Sequence, residues 1–79
     1  MRIVGEISHP SCKITIFSWN NRYLIKFEQG TLEQTYKIDQ FELTEEKDLF
    51  KIVNEEFVQA VMEGFETMAG SLNKALQSV

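Results

Sequence analysis

Apolar side chains recur at every second position through the first half of the chain, and at every third or fourth position through the second. The first spacing belongs to a strand with one buried face, the second to an amphipathic helix. The stretch "IFSWNNRYLIKF", Ile16 to Phe27, reads as two strands joined by Asn20-Asn21. Asparagine tolerates positive φ, so this pair suits a two-residue type I′ hairpin turn. The turn sets Trp19 against Arg22, Ser18 against Tyr23, Phe17 against Leu24 and Ile16 against Ile25. It also sets Thr15 against Lys26, Ile14 against Phe27 and Lys13 against Glu28. Cys12, Ile14, Ile16, Tyr23, Ile25 and Phe27 then share one face, the candidate core. Phe17, Trp19 and Leu24 lie among polar groups on the other.

Two further strands extend this hairpin. A turn at Gln29-Gly30 places Phe27 opposite Leu32, Ile25 opposite Gln34 and Tyr23 opposite Tyr36. A four-residue loop, Ser8 to Ser11, places Ile7 opposite Cys12, Gly5 opposite Ile14 and Ile3 opposite Ile16. Ile3, Ile7 and Leu32 thereby join the core face, and opposite charges meet outside it.

The period changes after "FELTEEKDLFKIVNEEF". Thr44 is the expected N-cap, followed by Glu45, Glu46 and Asp48 where the helix dipole favours acids. From Phe57 the apolar stripe runs through Val61, Phe65, Met68, Leu72 and Leu76. Ile52 falls off that stripe, and a break near Asn54 removes the conflict. A short helix over about 45–53 and a longer one from about 55 are therefore expected in place of a single continuous helix. Gly70 offers a place to end, leaving 71–79 as a frayed tail.

The expected fold class is α+β: a four-stranded antiparallel meander in order 1-2-3-4 over residues 1–39. A C-terminal helical layer over 44–77, one short helix and one long, packs on one face. A chain of 79 residues makes one small domain with a thin core.

Composition narrows the chemistry. Cys12 is the single cysteine, so no disulfide staples the core, and with His9 it makes too poor a ligand set for structural zinc. Cys12 falls on the core face and reads as a small hydrophobe; His9 reads as an exposed loop residue. No Gly-rich phosphate loop, nucleophile elbow or metal-ligand spacing occurs. The sequence predicts no catalysis, cofactor or metal. A lone cysteine fits a reducing compartment. "MRIVGEIS" lacks the apolar core of a signal peptide, and no apolar run would span a bilayer, so a cytoplasmic, membrane-free location is expected.

Charge is uneven. The formal net charge is −4, yet residues 1–39 carry five basic and four acidic side chains, and residues 40–79 three basic and eight acidic. The acidic total disfavours nucleic acid as a partner. Even so, Arg2, Lys13, Arg22, Lys26 and Lys37 are all placed on the outer sheet face. Single-stranded nucleic acid or a small ligand on that open face is accordingly the alternative to a protein partner.

One helical layer covers one sheet face. Arg2, Val4, Phe17, Trp19, Arg22 and Leu24 are therefore expected together on the uncovered face, a composition that suits an interface. Val58, Met62 and Ala69, at the edge of the long helix's apolar arc, form a second candidate contact. The expected function is a non-catalytic interaction module, its partner a second copy in a homodimer or another protein.

Overall fold

The computed structural model describes residues 1–79. Four strands, β1 (Arg2–His9), β2 (Cys12–Trp19), β3 (Arg22–Gln29) and β4 (Leu32–Asp39), form one antiparallel sheet in the order β1-β2-β3-β4. Short 3-10 turns at Gln40–Glu42 and Glu46–Asp48 lead into α1 (Leu49–Ile52) and α2 (Glu55–Leu76). The α+β architecture, strand order and division into a short and a long helix are those the sequence predicts.

Three two-residue loops join the strands. Asn20 and Asn21 have φ of 53° and 63°, the left-handed pair that type I′ demands, and the β2–β3 register is the expected one throughout. The outer two registers differ from expectation by two residues. The β3–β4 loop is Gly30-Thr31, with Gly30 at φ 60°, so Gln29 faces Leu32, Phe27 faces Gln34 and Ile25 faces Tyr36. The β1–β2 loop is Pro10-Ser11, so His9 faces Cys12 and Ile7 faces Ile14. A shift of two keeps every side chain on its predicted face, which is why the expected core survives both corrections.

A bulge between Ile3 and Gly5 changes the faces at the start of β1. An extra residue in one strand reverses the alternation beyond it. Val4 packs against the core. Ile3, expected inside, faces Phe17 and is 61% exposed. Arg2, expected outside, faces Ser18 and reaches Glu46 on the covered side.

The core lies between the sheet and the helices. Ile14, Ile16, Ile25 and Phe27 meet Leu49, Val58, Val61 and Phe65, all buried. α1 comes close over β1: a Cβ at Gly5 would lie 2.9 Å from the Phe50 ring, so glycine there admits the ring. α2 begins at Asn54, whose side chain accepts a hydrogen bond from the Phe57 N–H at 2.9 Å. The break before it puts Ile52 against the core. The preceding turn is capped by Glu45 in place of Thr44, its N–H donating to Asp48 Oδ2. Phe57 stacks edge-on against Phe27 and Tyr36, and Gln34 Nε2 donates to the Val61 carbonyl at 2.9 Å.

Gly70 does not end α2. The helix continues to Leu76, with every residue from Gly70 onward exposed. Gly70 keeps a negative φ, so it makes no left-handed cap. The stripe that buries Val61 and Phe65 thus runs beyond the sheet, where Leu72 and Leu76 stay uncovered. No helix is long and apolar enough to cross a membrane.

Candidate interaction surface

The outer face of the sheet is built by the alternation that builds the core. Residues whose neighbours point inward point outward, and no helix lies over them. In the middle of this face, Phe17 stands between Ile3 and Leu24 across three adjacent strands. Trp19, two positions along β2, is 55% exposed beside the Asn20-Asn21 turn. Phe17 and Leu24 are half-buried by their neighbours alone.

Two depressions mark the face. Met1, Phe17, Leu24, Lys26, Glu33 and Thr35 line an open one of about 240 Å³. Trp19, Asn20, Arg22, Leu24 and Lys37 enclose a crevice of about 20 Å³. The second admits little more than one water. The first lies below the roughly 300–1,000 Å³ common for small-molecule pockets, and is a shape suited to a protruding side chain.

The charges around it are mostly paired. Arg22 Nε lies 3.2 Å from Asp39 Oδ1. Lys26 Nζ lies 3.8 Å from Glu28 and 3.4 Å from Glu33. Lys13 and Lys37 lie on this face with no carboxylate in contact. Exposed pairs of this kind contribute little to stability, and they engage two of the four basic side chains that remain on the face, Arg22 and Lys26.

The expected interface set therefore divides. Phe17, Trp19, Arg22 and Leu24 are brought together. Val4 and Arg2 are not, because the β1 bulge carries both to the covered side. Arg2 donates to Glu46 Oε1, and the Tyr23 hydroxyl donates to the same oxygen at 3.4 Å. The Arg2 hydrogen bond holds the Glu46 carboxyl below its ordinary pKa and raises that of Arg2. Ile3 takes the place on the outer face that Arg2 and Val4 vacate. Gly5 beside it was the one sequence signal for the bulge.

The second expected contact also divides. Val58 is 5% exposed and belongs to the core, so it is unavailable to a partner. Met62 and Ala69 are half-buried. Cys12 is half-buried against the core, and desolvation pushes its thiol pKa up. His9 ends β1, and its Nδ1 accepts the Ser11 N–H at 3.1 Å. That bond engages His9 in closing its own turn.

No family model, curated protein or solved structure matches this chain.

Proposed function

We propose that the chain is a small non-catalytic module that binds a protein, a second copy or another chain, through the outer face of its sheet. The observation that carries this reading is the apolar row Ile3, Phe17 and Leu24 with Trp19 at its end, left uncovered because both helices lie on the opposite face. A contiguous apolar group rimmed by charged side chains is the usual composition of a contact surface. Tryptophan and arginine are enriched among residues that carry binding energy. The shallow relief favours a protein over a small ligand.

Trp19 reports directly on the test. Its emission is expected to shift on dilution or on titration with a partner. Trp19→Ala should weaken association through the outer face about thirtyfold, the effect of removing a buried interfacial tryptophan worth about 2 kcal/mol. Circular dichroism and melting should stay near wild type. If neither self-association nor binding of any partner responds to Trp19→Ala, the aromatic row is local hairpin packing and the reading fails.

A further inference from the structure

The sheet is open, and its two edges differ. The β1 edge is interrupted by the bulge between Ile3 and Gly5, a common device for making an edge unfit to pair. The β4 edge has no bulge, no proline and eight regular residues. Glu33, Thr35, Tyr36 and Lys37 along it are exposed. α2 touches β4 along one flank, with Gly64 and the Val61 carbonyl against Gln34, and leaves the strand's far side open.

The unpaired groups of β4 follow from its loop. In a hairpin closed by two residues the flanking pair, Gln29 and Leu32, is hydrogen-bonded. Bonded positions then recur at Gln34, Tyr36 and Ile38. The N–H and C=O groups of Glu33, Thr35 and Lys37 point away from β3. A second β4 that keeps both cores on one side of a joined sheet must match these outward groups with one another. Two antiparallel registers do so with near-full overlap, one centred on Thr35 and one on Tyr36. Centring on Tyr36 sets Glu33 against Asp39, two acids. Centring on Thr35 sets Glu33 against Lys37 twice by symmetry, Leu32 against Ile38, and Gln34 against Tyr36. The Lys37 ammonium, which contacts no carboxylate within its own chain, then meets one in the other copy.

We propose that two copies of this chain join along β4, antiparallel and centred on Thr35, to form one continuous eight-stranded sheet. Two-fold symmetry makes the contact self-complementary, and the added ladder satisfies the outward backbone groups of both edges. The edge pairing uses no residue of the aromatic row, but Glu33, Thr35 and Lys37 also border the outer-face depressions, so Trp19→Ala is the variant that separates it from the function proposed above.

The test is the oligomeric state of the full chain by sedimentation from micromolar to millimolar concentration. Wild type should be a dimer in the upper part of that range. Lys37→Glu opposes two acids at both symmetric positions, and Glu33→Lys opposes two lysines. Each variant alone should dimerise about tenfold more weakly, since both cross-strand pairs turn from attraction to repulsion. An equimolar mixture of the two restores both pairs and should form a heterodimer. Thr35→Pro removes an outward N–H that β3 does not use, and should give a folded monomer. Trp19→Ala should leave this dimer unchanged. A monomeric wild type throughout, charge variants that dimerise as well as wild type, a mixture that does not associate, or a dimer dissolved by Trp19→Ala would each overturn the edge pairing.

Discussion

The two faces of the sheet are made of alternate residues from the same strands, and they end in opposite states. Ile16 and Ile25, paired across β2 and β3, are fully buried. Phe17 and Leu24, the next pair along, are as apolar and remain half-covered. Residue type does not separate these pairs. What separates them is a second layer: α1 and α2 close one face, and nothing in the chain closes the other. An apolar side chain on a strand therefore contributes to folding in proportion to what packs over it.

Truncating one residue on each face separates the two most strongly. Ile25→Ala should cost about 2–5 kcal/mol, the range for emptying a packed aliphatic site. Leu24→Ala should cost about 1 kcal/mol or less, because water already reaches its surroundings. Urea unfolding of the isolated chain measures both. Equal losses would mean that the outer face is as well packed as the inner, and would remove the case for an uncovered surface.

A smaller effect is expected at the turn that holds the two faces in phase. Asn21 sits at φ 63°, where a residue with an ordinary side chain is strained. Asn21→Ala should lose about 1 kcal/mol, whereas Asn21→Gly should be neutral or slightly stabilising. Alanine and glycine variants of equal stability would show that the turn conformation is not what fixes the register.

The smallest effect concerns the rim of the covered face, where Arg2 ties β1 to the segment before α1 through Glu46. The folded carboxyl of Glu46 titrates below its ordinary value of 4.5. A depressed carboxylate contributes stability above its unfolded pKa and loses it as pH falls through the folded one. The contribution of Glu46 should thus be present at neutral pH and decline below about 4.5. Glu46→Gln should flatten that part of the acid limb, melting slightly below wild type at neutral pH and converging with it in acid. Arg2 stays charged throughout and adds no slope of its own. An acid limb identical to wild type would show that the pair is idle in solution.

Much of this was legible in the residues, for reasons particular to each element. The Asn20-Asn21 pair announces positive φ, and the β2–β3 register follows from it. The departure of Ile52 from the α2 stripe announces the break that Asn54 caps. Phe17, Trp19, Arg22 and Leu24 were placed on the outer face because alternation within a hairpin of known turn allows no other arrangement. The outer registers were not legible to the same degree. Alternation has a period of two, so it selects the face and leaves a choice among shifts of two. Gly30-Thr31 and Pro10-Ser11 are less distinctive turn pairs than Asn20-Asn21.

Residue patterning already determines the local basis of the strand order, the parity of β2, β3 and β4, and the break between α1 and α2. These depend on neighbours close in the chain, whose spacing is fixed by backbone geometry. The tertiary structure alone decided the bulge that moves Arg2 and Val4 inward and Ile3 outward. It decided too the length by which α2 outruns the sheet, the burial of Val58, and the contrast between an interrupted β1 edge and a regular β4 edge. Each of those depends on where a distant element comes to rest: Phe50 over Gly5, Glu46 beside Arg2, Gln34 against α2. A hydrophobic pattern states that a side chain seeks cover; which part of the chain supplies that cover is settled when the layers meet.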